Sequence, residues 1–142
     1  MENTKMTRIS VGQRTTPDSH LTAVSSLSPE RLTDAMRQAI EAEGLFLLAE
    51  VNTAAVVAQA GYEVGFAYQW LFFHPRLLRE AVAYSGATIA EIPLKIGAIT
   101  IGEAIELHCL DPVSSYAPYV GLVAFADKLA VMCKRILACV SA

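Results

Sequence analysis

The stretch LKIGAITIGEAIELHCL, from Leu94 to Leu110, consists of two strand-length runs, residues 94–101 and 103–110, separated by Gly102. Its β-branched content and the intervening glycine predict a hairpin. Strands joined by so short a link run antiparallel, so this hairpin sets the character of the sheet. Side chains alternate across a strand. Ile105, Leu107 and Cys109 therefore share one face, and Ala104, Glu106 and His108 share the other. One face asks to be covered; the other carries a carboxylate beside an imidazole.

Working toward the N-terminus, residues 66–73 form an aromatic run bounded by Gly65 and Pro75, which predicts another strand with Phe66, Tyr68, Trp70 and Phe72 on one face. Between it and the hairpin, residues 76–84 predict a short helix stopped near Gly86. Residues 45–51 are almost continuously apolar and of strand length. Asn52 can cap a short helix over 53–60, closed by Gly61. Ser28-Pro29 pairs a hydroxyl N-cap with a proline at the first helical position. Leu32, Ala35, Met36, Ala39 and Ile40 then fall on one helix face, and Gly44 ends the helix. Residues 1–28 are Thr- and Ser-rich and read as an N-terminal segment with one short strand around 7–13 and a loop.

Toward the C-terminus, Asp111-Pro112 breaks the chain. Residues 118–140 predict a long amphipathic helix with a narrow charged stripe of Asp127, Lys128, Lys134 and Arg135. Val120, Val123 and Val131 sit near that stripe, so the helix should be covered on more than one side. The order gives an α+β fold over residues 29–142, a largely antiparallel sheet with helices on one side.

Composition narrows the function classes. The chain has 142 residues, 54% of them hydrophobic, which excludes disorder and suits one domain. The apolar surplus lies after Ser28 and implies that part of the surface is an interface. A net charge of -3, with Lys134-Arg135 the only dense basic stretch, argues against nucleic acid. The longest uncharged run, residues 112–126, spans 15 residues and contains two prolines, so no membrane span is expected. Residues 1–28 contain no apolar block of signal-peptide type. Three cysteines without a C-x-x-C pair suggest free thiols and a cytoplasmic location.

Four groups of residues invite chemistry. His74 ends an apolar strand, where an imidazole can serve as base or metal ligand; a turn histidine bonded to the backbone is the plainer reading. Glu106 and His108 share a strand face and can form an acid–base pair, or simply a solvated polar face. Zinc needs three or four ligands, which this pair reaches only if His74 joins it. Cys109 lies on the Ile105 and Leu107 face and reads as a buried core thiol, as do Cys133 and Cys139. The aromatic row of residues 66–72 suits either a stacking platform for haem or flavin, or core beneath a helix. No glycine-rich phosphate loop and no G-x-S-x-G elbow occurs.

Residues 44–122 also carry a series of landmarks in order: Glu50-Val51-Asn52-Thr53-Ala54-Ala55 ending in Ala60-Gly61, Phe72-Phe73-His74-Pro75-Arg76-Leu77-Leu78, Ile92-Pro93-Leu94-Lys95, and Leu110-Asp111-Pro112 with Tyr116 nearby. In this the chain resembles the family known as domain of unknown function 302. The resemblance implies a TATA-binding-protein-like α+β fold, β-α-β4-α in outline, and dimers; it implies no established activity. The family's usual Asp-His pair at the start of the short helix is replaced by Asn52-Thr53, and its turn Asn by His74. Asn52 thereby joins His74, Glu106 and His108 as a ligand-binding candidate.

The function expected is that of a cytoplasmic, homodimeric ligand-binding or regulatory domain without its own catalysis, taking a small molecule. The alternative is a metal- or haem-binding protein or small enzyme using His74 with Glu106 and His108. A third reading is a scaffold whose long helix docks another protein.

Overall fold

A computed structural model describes residues 5–141 of the chain. The hairpin forms as β6 (Leu94–Ile101) and β7 (Ala104–Leu110), paired antiparallel with Ile101 opposite Ala104. Gly102 makes the turn at φ +63, a backbone region that favours glycine. β5 (Ala67–Phe73) pairs with β6, and β3 (Phe46–Val51) pairs with β5 across a register shift between Leu47 and Ala49. The other edge is β2 (His20–Ser25), paired along its length with β7. The five strands, in the order β2-β7-β6-β5-β3, are all antiparallel.

The strand at His20–Ser25 corrects the sequence expectation, which placed a loop there. Its own pattern is weak, with only Leu21, Ala23 and Val24 apolar. Its strand conformation comes from the ladder offered by β7, a long-range partner that local periodicity does not register. The expected strand over 7–13 is reduced to β1 (Thr7–Arg8), which pairs in parallel with β4 (Tyr62–Glu63) in a separate two-stranded sheet.

Two long helices cover one face of the large sheet. α1 (Pro29–Ala42) starts at Ser28, whose hydroxyl accepts from the Arg31 N–H, and it buries Leu32, Met36, Ala39 and Ile40. α5 (Val123–Val140) packs on α1 and β2 and buries Phe125, Leu129, Cys133, Ile136, Leu137 and Val140. Between them and the sheet lies one core, containing Trp70, Phe72, Ile96, Ala98, Ile105, Leu107 and Cys109. Trp70 and Phe72 are fully buried there, so the aromatic row is core rather than an open stacking platform. α5 begins five residues later than the pattern predicts, because Pro118 to Leu122 fold into an irregular stretch and a single 3-10 turn, Val120–Leu122.

The remaining short helices connect strand ends. α2 (Thr53–Gln59) follows β3, α3 (Pro75–Tyr84) follows β5, and α4 (Pro112–Ser115) follows β7. A 3-10 segment, Gly86–Glu91, leads into β6. The opposite face of the sheet is left largely open. No helix among the described residues is long and apolar enough to cross a membrane.

Candidate functional site

The open face is built by strand alternation. Because Leu107 and Cys109 point into the core, Glu106 and His108 must point away from it. The register sets Gly97 of β6 and Thr22 of β2 on either side of His108. His20 stands diagonally from His108 on the same face, and the two rings meet edge to face with centroids 5.1 Å apart. His20 Nδ1 and His108 Nδ1 are 2.9 Å apart, and His108 Nε2 lies 2.5 Å from Glu106 Oε1. Glu106, His108 and His20 therefore form one continuous hydrogen-bonded chain.

The chemistry of the three groups constrains their protons. As a carboxylate, Glu106 only accepts, so His108 Nε2 carries a hydrogen and donates it. The contact between the two Nδ1 atoms then holds one hydrogen, with one ring donating and the other accepting. His20 Nε2 is the ring nitrogen left outside this chain. The side chains of His108 and Glu106 are 26% and 31% exposed, close enough to solvent for a ligand to reach and buried enough for the hydrogen bonds to be ordered.

Beside this chain lies a groove of about 240 Å³ lined by Thr53, Ala67, Gln69, Gly97, Ile99 and His108. Its floor is Gly97, where a Cβ would meet nothing within 4 Å. The Thr53 hydroxyl, at the start of α2, is buried there without a hydrogen-bond partner. Three strands and one helix start thus converge on a polar-rimmed depression.

The predicted site residues divide into two groups. Glu106 and His108 are brought together as their spacing implied. Asn52 is exposed at the N-cap of α2, where its Oδ1 accepts from the Ala55 N–H at 3.1 Å. Its neighbour Thr53 is the residue that enters the groove. His74 caps α3, with Nδ1 accepting from the Arg76 N–H at 3.0 Å and the ring against Phe46, centroids 4.8 Å apart. It stands five residues along β5 from Gln69, about 16 Å at the usual strand rise, so it does not join Glu106 and His108. Both nitrogens of His108 are engaged in hydrogen bonds, and no group of three or more His, Cys, Asp or Glu among the described residues is arranged to hold a metal ion.

The profile of the family described as "Domain of unknown function DUF302" matches residues 21–140. The chain belongs to the DUF302 family. Among solved structures, it resembles one described as "Crystal structure of uncharacterized conserved protein DUF302 from Bacillus stearothermophilus". The TM-score is 0.77 at 13% identity, covering 87% of this chain and 97% of that one, a likeness of fold. No curated protein matches the chain.

In this DUF302 chain, the residue that local sequence signals missed is His20. Local pattern places it in a loop, and only the pairing of β2 with β7 carries it to His108. The cysteines, by contrast, stay out of the site. Cys109 and Cys133 are buried in the core, and a hydrogen bond to Cys109, reinforced by burial, holds Cys133 firmly as the thiol. Cys139 is exposed on α5, which corrects its expected burial. A second polar cluster lies at the edge of the core face: Arg37 Nε donates to both oxygens of Glu50, at 3.0 and 3.1 Å, and the Tyr68 hydroxyl donates to Oε1 at 3.1 Å. Burial, then the Glu50 hydrogen bond, raise the Tyr68 hydroxyl above its ordinary range. That cluster ties α1 to β3 and β5, and its Tyr68 also borders the groove over Gly97.

Proposed function

We propose that this DUF302 chain is a homodimeric ligand-binding domain, without catalysis of its own, that takes a small planar molecule in the groove over Gly97. The observation that carries the reading is the glycine-floored groove flanked by the Glu106–His108–His20 chain. A bare Gly97 lets a flat ligand approach the strand backbone closely. His108 and Gln69 supply the few convergent polar groups that fix orientation in such sites. Asn52 and His74 act in this reading as helix caps. The test is a thermal-shift screen of the purified protein against planar heteroaromatic compounds, repeated with Gly97→Val and His108→Ala. Binders should stabilise the parent chain and lose their effect in both variants. Binders that stabilise all three proteins equally, or a screen with no binder, would reject the groove as the site.

A second reading, a small enzyme using acid–base chemistry, draws on the same hydrogen-bonded chain, with His20 in the place expected for His74. A carboxylate within hydrogen-bond reach of an imidazole can orient it to act as a general base. Hydrolysis of p-nitrophenyl acetate offers a generic check. A catalytic site should exceed the rate of free imidazole and fall to that rate in Glu106→Gln and His108→Ala. A parent chain no faster than free imidazole counts against it.

A further inference from the structure

Two imidazoles from neighbouring strands meet on the open face through like atoms. The Nδ1 nitrogens of His20 and His108 stand 2.9 Å apart, with the rings inclined at 76°. His108 Nε2 donates to Glu106, so the Nδ1 of a neutral His108 is a bare acceptor and the shared hydrogen belongs to His20 Nδ1. His20 gives up that hydrogen at no change of charge by becoming the Nε2–H tautomer, because its Nε2 lies outside the hydrogen-bonded chain. Two unprotonated nitrogens then face one small volume, and their lone pairs repel unless a cation takes the place of the hydrogen.

The spacing says which cation fits. Bonds from imidazole nitrogen to a metal are about 2.0–2.1 Å long. Two nitrogens on one ion at a right angle then lie about 2.9 Å apart, and two at the tetrahedral angle about 3.3 Å. The observed separation is that of neighbouring positions in a tetragonal ion, the geometry of copper(II) rather than of zinc. Copper(II) also heads the affinity order of divalent ions for imidazole, so a pair of protein donors holds it where zinc takes three or four.

The surroundings support such an ion. Glu106 accepts the Nε2–H of His108, the carboxylate–histidine arrangement that orients a ligand histidine and raises its basicity. The same carboxylate compensates part of the ion's charge. The His108 side chain is 26% exposed and His20 is half-buried on an edge strand, so an ion enters from solvent and keeps water on its remaining positions.

We propose that His20 Nδ1 and His108 Nδ1 bind one copper(II) ion at adjacent coordination positions, with Glu106 orienting His108 and water completing the shell. The site uses the ladder between β2 and β7 and is independent of whether the groove over Gly97 takes a ligand. His74, bonded to the α3 backbone and placed elsewhere on the sheet, has no part in it.

The experiment is a titration of the full chain with copper(II) sulfate at neutral pH, followed by calorimetry and by electron paramagnetic resonance. One equivalent should bind saturably at micromolar copper, and the spectrum should be axial with coupling to two imidazole nitrogens, a readout that needs no variant. His20→Gln and His108→Gln should each weaken binding about tenfold or more, and Glu106→Gln should weaken it about 10- to 100-fold, the usual effect of losing an outer-shell partner. His74→Gln and Gly97→Val should bind copper as the parent does, and circular dichroism should show all five variants folded. The proposal is overturned by a parent that binds no stoichiometric copper, by a spectrum without two imidazole nitrogens, by unchanged affinity in His20→Gln or Glu106→Gln, or by an equal loss in His74→Gln or Gly97→Val.

Discussion

Tyr116 shows how a single atom can set a stability profile. Its buried, unpartnered hydroxyl costs about 1–3 kcal/mol relative to a paired one. Tyr116→Phe removes that atom and keeps the ring packed against Phe125 and Tyr119, so the variant should be more stable than the parent by about 1 kcal/mol, or about 2–4 °C in Tm. Burial, and then the Glu91 charge, push the Tyr116 hydroxyl up to about 12. A group whose pKa rises on folding contributes stability in full below its unfolded value near 10 and loses it as pH climbs through the folded value. The parent should therefore weaken between pH 10 and 12 more steeply than Tyr116→Phe, measured by denaturant melts across that range. Equal slopes would show that the hydroxyl does not carry this term. At the same scale, the sequence revealed Glu106 and His108, because two residues apart in a strand always share a face. It hid His20, because nothing near residue 20 records that its partner lies 88 positions away. His74 was visible but ambiguous, since an imidazole before Pro75 can cap a helix as readily as it can bind a ligand.

At the level of elements, β6 and α3 separate roles that are easily confused. Gly97 lies in the middle of β6 with open space where a Cβ would go and without the positive φ that would demand glycine. Gly97→Val should fold normally and gain about 0.5–1 kcal/mol, because a β-branched residue is better suited than glycine to a strand interior. A lower Tm would mean that the groove floor is more crowded than its geometry implies. His74→Ala should do the opposite, removing the α3 cap at a cost of about 1 kcal/mol while leaving ligands of the Gly97 groove unaffected. Thermal melts of the two variants, with and without a ligand of the groove, distinguish a site residue from a cap. Where elements announced themselves chemically, they were legible: the caps at Ser28 and Asn52, the glycine turn at residue 102 and the aromatic strand all formed near their expected places. Boundaries failed where tertiary packing overrode pattern, as at the start of α5, where no side chain caps the helix at Leu122.

At the scale of the whole molecule, exposed apolar side chains favour the proposed self-association. Val120, Val123 and Ile89 are 79%, 62% and 61% exposed. These three, with Val82 and Tyr84, come from α3, the two 3-10 segments and the start of α5, elements that contact one another in a chain. An exposed apolar patch formed by these side chains would mark an interaction surface, and a standard interface hides about 800 Å² per partner. In the sequence, Val120 and Val123 lie beside a charged stripe too narrow for the helix. The assignment of Ile89 to the same patch required the fold. Light scattering coupled to size-exclusion chromatography should give twice the chain mass at micromolar concentration. Val120→Asp combined with Val123→Asp should return the single-chain mass with an unchanged circular dichroism spectrum, because both side chains already face solvent within the monomer. A parent that elutes as a monomer sinks the dimer. A dimer that survives both aspartates moves its interface elsewhere, and the open sheet face, with exposed Phe46, Leu48 and Leu110, is then the surface to substitute next.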